Sequence, residues 1–316
     1  MTGYLGSGKT TLLNRILQEQ HGQRIAVIEN EFGETGIDNE LLVQDENEQI
    51  IEMNNGCICC TVRGDLVRIL GELDAKRRFG SLKFDRVIIE TTGLADPAPV
   101  AQTFFVDEHI ADRYFLDAII TMVDAVHAPA QLDAHHEAQE QVGFADRILL
   151  SKTDLVSAVQ VHLLTQRLKQ MNPRARFITA NFGVAPINDL LDVRGFDLDA
   201  ILEIEPDFLS DVSHEHDDAV TSFVFRATQP FDGPRLKAYL DLVLEMFGTN
   251  LLRYKGVLNV AGATHRVVLQ GVHMLISLDQ GNQWKKTDVR ESKLVFIGKE
   301  MPKEILIQGL TLCLAD

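Results

Sequence analysis

Three of the chain's four cysteines lie within four consecutive positions of the segment NNGCICCTV, at Cys57, Cys59 and Cys60. Thiolates are ligands for zinc and similar divalent metals, and structural zinc sites usually combine two separated pairs of ligands. The fourth cysteine, Cys313, stands alone far along the chain, so the segment predicts an incomplete site that a metal can enter and leave. Two alternatives stay open from the residues alone: a redox-active dithiol, and three small side chains in a core.

The acidic segment IENEFGETGID at 28–38 can supply a further metal ligand. Glu29, Glu31 and Glu34 directly follow an apolar run that predicts a strand, at a position where P-loop GTPases often carry a segment that responds to the γ-phosphate. If this segment becomes ordered when nucleotide binds, one carboxylate reaches or leaves the metal, and the nucleotide controls metal affinity. The alternative is a solvated acidic loop.

The segment GYLGSGKTT predicts a phosphate-binding loop. It fits the pattern GxxxxGK[ST], and the apolar spacing of a helix follows at once. Backbone amides of such a loop turn toward the phosphates, its lysine reaches the β- and γ-phosphates, and the next hydroxyl is a ligand for Mg²⁺. The predicted nucleotide-binding residues are Gly6, Ser7, Gly8, Lys9, Thr10 and Thr11, of which Lys9 and Thr10 also act in catalysis.

Two later segments predict the rest of the nucleotide site. Glu90 ends the run RVIIE, as expected of the catalytic carboxylate that holds Mg²⁺ directly or through water. Lys152 and Asp154 in LLSKTD can hold a guanine base, since a carboxylate accepts two hydrogen bonds from guanine and a lysine stem packs along the ring. For each of these carboxylates, and for Asp124 at the end of another strand, the alternative is a merely solvated side chain.

These residues need a sheet that brings the strand ends together. Apolar runs that predict buried strands cover 24–29, 85–90, 116–124, 146–152 and 176–179. Helical spacing lies between them, at 65–79 and 156–171. The alternation predicts an α/β fold with a mostly parallel, doubly wound sheet and a ligand site at the carboxyl ends of the strands. Only Met1 and Thr2 precede Gly3, so we expect the first strand to be missing. If residues 1–316 are the whole product, we expect the sheet to have a gap there and the domain to have low stability.

A change of pattern divides the chain. Residues 1–203 form the predicted nucleotide-binding domain, 204–220 an acidic linker that contains histidines, and 221–316 a smaller α+β domain. For this last domain we expect a mixed sheet. Its predicted strands are 221–228, 256–261, 265–273 and 293–297, and its predicted helices are 233–247 and 302–313.

Charge and composition limit the class of partner. The chain has 316 residues, 45% of them hydrophobic, and a net charge of −16, which opposes binding to nucleic acid and to anionic membranes. We find no run of the roughly 20 apolar residues that span a bilayer, and no secretory pattern at the N-terminus. We therefore expect a cytoplasmic protein, whose cysteines stay reduced.

Taken in order, the segments GYLGSGKTT, ENEFGE, NGCICC, IIETTGLADP, VDAVHA and SKTD resemble the CobW-like branch of the metal-handling P-loop GTPases, which also include HypB and UreG. The resemblance covers nearly the whole chain, and the last domain is similar to the CobW C-terminal domain. It implies GTP hydrolysis with Mg²⁺, coupled to delivery of a divalent metal, zinc or cobalt. The metal ligands it implies are Cys57, Cys59 and Cys60, with help from Glu29 or Glu34. Ser151 departs from the family pattern, because asparagine is usual at this place in the guanine signature.

The predicted function is therefore that of a metallochaperone which hydrolyses GTP slowly, with zinc as the favoured metal. Slow turnover is expected because the sequence identifies no arginine finger, that is, no arginine that would stabilise the transition state of GTP hydrolysis. Two other functions remain open: a P-loop kinase for a small molecule, and a passive zinc store with a regulatory nucleotide. The expected partner is a client metalloprotein, and a homodimer is also open.

Overall fold

The computed structural model describes residues 1–19, 22–29, 49–52, 60–196, 219–285 and 288–315, and for 49–52 and 60–63 it describes the backbone alone. The chain divides into two compact units, of which the first comprises 1–166 and 175–193 and the second 167–174 and 194–316. No helix in the part of the chain described is long and apolar enough to cross a membrane.

The first unit alternates strands and helices, as predicted. Its strands are β1 (Thr2–Gly3), β2 (Ile25–Glu29), β3 (Gln49–Glu52), β4 (Arg86–Glu90), β5 (Ile120–Asp124), β6 (Arg147–Ser151) and β7 (Arg176–Thr179). Its helices are α1 (Lys9–Gln18), α2 (Cys60–Arg78), α3 (Ala98–Val106), α4 (Glu108–Ala111), α5 (Ala128–Ala134), α6 (His136–Phe144) and α7 (Ala158–Met171), the last of which runs on into residues of the second unit.

All the ladders described in this unit are parallel. The strands pair in the orders β1-β5-β6-β7 and β3-β2-β4. The five apolar runs found in the sequence each contain one of these strands, which confirms the parallel α/β prediction. Parallel pairing puts the carboxyl ends of the strands on one edge, and this is the edge where ligands bind in such sheets.

The first strand was expected to be missing, but it is present as β1, a strand of two residues that lies between β4 and β5. It pairs with β5 through Thr2↔Thr121 and Gly3↔Met122. On its other side the Thr91 amide donates to the Met1 carbonyl at 3.0 Å, and the Thr91 hydroxyl donates to that of Thr2 at 2.9 Å. A cavity of about 330 Å³ extends between β4 and β5, where Ile88 and Ile120 are among its lining residues. The low stability expected for this region stays a prediction.

Among its described residues from 219 onward, the second unit contains a five-stranded sheet and two helices. Its strands are β8 (Val220–Ala227), β9 (Leu251–Leu258), β10 (His265–Val272), β11 (Leu275–Gln283) and β12 (Ser292–Lys299), and its helices are α8 (Gly233–Phe247) and α9 (Lys303–Leu312). The order is β11-β10-β9-β12-β8 and every ladder is antiparallel. The expectation of a mixed sheet was therefore wrong, because short turns after β9 and β10 reverse the chain and pair each strand with the next.

The core of the second unit lies between its sheet and its helices. Leu236 and Leu240 of α8 and Leu306 of α9 are buried in one cluster with Tyr254 and Phe296 of the sheet. The spacing of four between the α8 leucines places them on one face of the helix. Burial of these apolar side chains contributes to the stability of the unit.

Candidate nucleotide and metal site

The loop between β1 and α1 has the backbone of a phosphate cradle. Gly6 and Gly8 have φ values of 71° and 97°, in the left-handed region that glycine adopts without strain. Gly8 caps α1 without a side-chain hydrogen bond, which leaves the amides of the first turn available to an anion. The Lys9 ammonium donates to the carbonyl oxygens of Gly3 at 3.0 Å and Tyr4 at 3.4 Å, so it is held at the loop.

Two buried hydroxyl oxygens support a polar ligand at this loop. Ser7 Oγ in the loop and Thr92 Oγ1 after β4 are buried and have no hydrogen-bond partner among the described residues. Buried hydroxyl groups in folded proteins normally have a partner, and a phosphate group offers acceptors to both. The cradle and these hydroxyls therefore fit a bound nucleoside phosphate.

Gly93 brings the segment after β4 against the phosphate loop. A Cβ at this position would lie 2.6 Å from the Leu5 backbone nitrogen, which is shorter than atoms tolerate. The Gln141 side-chain amide donates to the Gly93 carbonyl at 3.2 Å and to that of Ala95 at 3.1 Å. The close approach therefore requires glycine, and it keeps Thr92 beside the cradle.

Two glutamates end neighbouring strands next to Thr10. Glu29 of β2 and Glu90 of β4 are register partners, and their exposed fractions are 5% and 8%. The Thr10 hydroxyl donates to Glu90 Oε1 at 3.5 Å. Carboxylate and hydroxyl oxygens are the ligands that Mg²⁺ prefers, so this donor set fits the ion that would neutralise charge on the phosphates. Glu29, predicted from sequence for the exchangeable metal, thus lies beside the predicted Mg²⁺ carboxylate.

Lys152 is held across the site by a buried carboxylate. Its ammonium lies 2.5 Å from Asp124 Oδ2 and donates to the Gly6 carbonyl at 2.9 Å. Burial by itself would raise the pKa of Asp124, but hydrogen bonds from Lys152, His127 and two backbone amides lower it overall. Sequence reasoning found no partner for Asp124, and the structure supplies one from the residue that directly follows β6, the neighbouring strand.

Ser151, the departure from the guanine signature, links the phosphate loop to residues 152–154, which are called the base loop because they are predicted to hold the guanine base. It is the last residue of β6 and is 4% exposed. Its hydroxyl donates to the Ser7 carbonyl at 2.7 Å. A serine therefore makes a tether at the position where asparagine was expected, and the exposed carboxylate of Asp154 follows three residues later.

Asn181 is a contributor that the sequence did not reveal. It lies in the turn after β7, and its Oδ1 accepts hydrogen bonds from the Thr153 amide at 2.9 Å and the Thr153 hydroxyl at 3.1 Å. Thr153 stands between the two residues predicted to hold the base. The asparagine thus fixes the base loop to the turn 180–184.

The cysteine segment falls largely outside the described residues. Cys57, Cys59 and Glu34 lie there, and Cys60 is described only as the first residue of α2. Among the residues that are described, no group of three or more His, Cys, Asp or Glu side chains is arranged to hold a metal. Cys313 is a buried free cysteine of the second unit. The cysteine ligands stay a prediction.

A parallel sheet with this glycine loop and helix at its carboxyl edge defines a P-loop nucleotide-binding protein. The chain belongs to the CobW/HypB/UreG family. Residues 1–179 match the family described as "CobW/HypB/UreG, nucleotide-binding domain", and residues 220–314 match the "Cobalamin synthesis protein cobW C-terminal domain". The resemblance seen in the sequence motifs is thereby confirmed.

Two named relatives are similar to the chain over most of their length. The zinc chaperone YjiA of Escherichia coli (strain K12) is 42% identical over 305 residues, covering 96% of this chain and 94% of that protein. The zinc chaperone CobW of Pseudomonas aeruginosa is 33% identical over 354 residues, covering 100% of this chain and 90% of that protein. A crystal structure described as the Zn(II)-bound YjiA GTPase from E. coli superposes with a TM-score of 0.79, at 35% identity, over 99% of this chain and 97% of that one.

Proposed function

We propose that this protein is a GTPase that loads a divalent metal, zinc first of all, and delivers it to a client metalloprotein. Its relatives support this role, because they include proteins named zinc chaperone and zinc-regulated GTPase metalloprotein activator. The nucleotide is held by the phosphate loop with Lys9 and Thr10, and the guanine base by Lys152 and Asp154. The metal is bound by Cys57, Cys59 and Cys60 with a carboxylate from Glu29 or Glu34.

The register pairing of Glu29 with Glu90 carries the proposal. Glu90 accepts a hydrogen bond from Thr10 of the phosphate loop, so its surroundings change when Mg²⁺ and nucleotide bind. Glu29 lies opposite it and is the residue from which the acidic segment starts. Residues directly opposite each other in neighbouring strands interact through their side chains. A change at the nucleotide is thereby passed to the start of the segment that supplies metal ligands.

If the nucleotide controls metal binding, the metal affinity must differ between the nucleotide states. A ligand shifts an equilibrium between two states of a protein only if it binds them with different affinities. In the GTP state the acidic segment supplies its carboxylate and completes the metal site. After hydrolysis the γ-phosphate is lost, the carboxylate leaves, and the thiolates hold the metal less tightly. A client with its own ligand set can then take the metal.

The test is a titration of Zn²⁺, and separately of Co²⁺, into the protein without nucleotide, with GDP, and with a non-hydrolysable GTP analogue. We expect tighter binding in the GTP-analogue state, and loss of that binding in the double variant Cys59→Ser, Cys60→Ser. Cys313→Ser is the matched control, because this cysteine lies in the core of the second unit, and it should bind metal as the wild type does.

Each other outcome contradicts a part of the proposal. Equal metal affinity in all nucleotide states would contradict the coupling and leave a passive zinc store. A preference for ATP together with formation of a phosphorylated small molecule would indicate a kinase. Equal loss of metal in Cys313→Ser and in the double variant would exclude the CxCC segment as the specific site.

A further inference from the structure

Phe182 is an exposed aromatic side chain beside the predicted base site. It follows β7 and is 81% exposed, although burial of a phenylalanine ring in a core is strongly favourable. Single exposed apolar residues are common and carry no meaning by themselves. What distinguishes Phe182 is its backbone, the way in which its two neighbours are fixed, and its position.

The backbone of Phe182 is left-handed, with φ 53° and ψ 30°. For a bulky residue this conformation is a genuine outlier and persists only where the surrounding structure imposes it. Lys152, which is predicted to pack along the base, has the same conformation, with φ 57°. Two strained residues thus flank the same site, and such residues cluster at ligand clamps.

Both neighbours of Phe182 are fixed to parts of the nucleotide site. Asn181 bonds to Thr153 of the base loop, as described above. On the other side, Gly183 is buried and packs so closely on α1 that an added Cβ would lie 2.8 Å from the Thr11 carbonyl oxygen. The turn that carries Phe182 therefore spans from the base loop to the start of α1, where the nucleotide lies.

We propose that Phe182, on the turn 180–184 next to the base loop, is a stacking platform for the purine base of the bound nucleotide. An aromatic ring binds a base by its face and gains affinity without reading the hydrogen-bonding edge. Asp154 then selects guanine, while Phe182 contributes affinity for any purine. This inference deepens the proposed GTPase function, and it rests on that function for the identity of the base only.

The first test measures affinities for GDP and ADP in Phe182 variants by calorimetry. Phe182→Ala should weaken the binding of each nucleotide about 10-fold, which is within the range for removal of a stacking aromatic group, and should leave their ratio unchanged. Phe182→Tyr should retain the wild-type affinity. Phe182→Leu, whose side chain is similarly hydrophobic but has no π face, should bind both nucleotides as weakly as Phe182→Ala. Val184→Ala is the control from the same turn, 56% exposed, and should bind as the wild type does.

The second test uses Phe182→Trp as a fluorescent reporter, with the wild type and its single tryptophan as the blank. Stacking on guanine should quench the added emission in proportion to occupancy. Unchanged affinity in Phe182→Ala, restoration by leucine as good as by tyrosine, or no quenching at saturating nucleotide would each overturn the proposal. A wild type that prefers ADP, with the same loss in Phe182→Ala, would contradict the GTPase function and support the stacking.

Discussion

The Ser151 hydroxyl donates a 2.7 Å hydrogen bond to the Ser7 carbonyl oxygen and so ties the end of β6 to the phosphate loop. The two residues are 144 positions apart in the chain. The bond is buried, and it fixes the distance between the group that would bind the base and the loop that would bind the phosphates. A nucleotide is bound well only if both ends fit together, because ordering of either loop at binding would cost free energy.

Replacement of Ser151 by alanine tests this tether. Ser151→Ala should lower the free energy of unfolding by about 1 kcal/mol, the typical net value of a hydrogen bond, and should also weaken nucleotide binding. Ser81→Ala is a matched control, since the Ser81 hydroxyl donates to a backbone carbonyl at 3.0 Å in an exposed part of the same unit. Chemical denaturation and nucleotide titration of both variants provide the comparison. Equal effects in the two variants would argue against a special role of the Ser151 bond.

Asp154 is expected to select the base. Asp154→Asn replaces one of the two carboxylate acceptors by a donor. Guanine then keeps the hydrogen bond from its N1–H and loses the one from its exocyclic amino group, while xanthine, which carries an oxygen at that position, gains one. Affinity for GTP should fall by at least about 10-fold, as expected from the loss of a hydrogen bond to a charged group, and affinity for xanthosine triphosphate should rise. Competition binding with both nucleotides measures the change. Unchanged GTP affinity in the variant would remove Asp154 from the base site.

Gly93 is expected to tolerate no side chain. Gly93→Ala would place a methyl group 2.6 Å from the Leu5 nitrogen, so the phosphate loop or the segment after β4 must shift. We expect a loss of about 1–3 kcal/mol of unfolding free energy, as for overpacking in a core, and weaker nucleotide binding.

Gly71→Ala is the control for this prediction, and we expect it to change the stability in the opposite direction. Gly71 lies within α2 and a Cβ there would meet nothing within 4 Å, so alanine should stabilise the protein by about 0.5–1 kcal/mol through its higher helix propensity. Thermal melts of the two variants should therefore shift in opposite directions from the wild type. A stable Gly93→Ala variant with normal nucleotide affinity would show that the approach to Leu5 is not required.

The pair Arg24 and Asp85 predicts a dependence on pH at the amino ends of β2 and β4. Side-chain and backbone hydrogen bonds from Arg24 lower the pKa of Asp85 from 3.8 to about 2. Because the folded pKa is the lower one, the stabilisation is present above pH 3.8 and is lost as the pH falls through about 2. Both side chains are nearly half exposed, so the effect on stability is small.

Carboxyl chemical shifts followed by NMR measure this titration directly. In Arg24→Gln the pKa of Asp85 should return toward 3.8, and the difference in stability between wild type and variant should vanish below about pH 2. A wild-type pKa near 3.8 would show that the ion pair does not form in solution.

The parallel sheet could be predicted because its strands are continuous apolar runs buried on both faces. Strand β3 could not, since QIIE is only four residues long and follows an acidic stretch. The antiparallel arrangement of the second unit was missed because strand pairing depends on the turns, and β11 lacks a clear alternation of apolar and polar residues.

The phosphate loop could be predicted because glycine, lysine and threonine at fixed spacing have one common physical use. The contacts of Ser151, Asn181 and Asp124 could not, since a single polar residue does not reveal a partner on a distant strand. Phe182 was missed for a related reason: its exposure and left-handed backbone exist only in three dimensions.

The pairing of Glu29 with Glu90 also affects how fast the protein is degraded by proteases. Two ionised carboxylates that lie side by side in a buried position repel each other, and a divalent cation bound beside them removes that repulsion. The cation then stabilises the folded form by mass action. Limited proteolysis should therefore be slower at millimolar Mg²⁺ than in chelator, and an equal rate would contradict this. Because degradation follows the population of opened chains, we expect the level of this protein in a cell to depend on the supply of the cation that binds beside these two carboxylates.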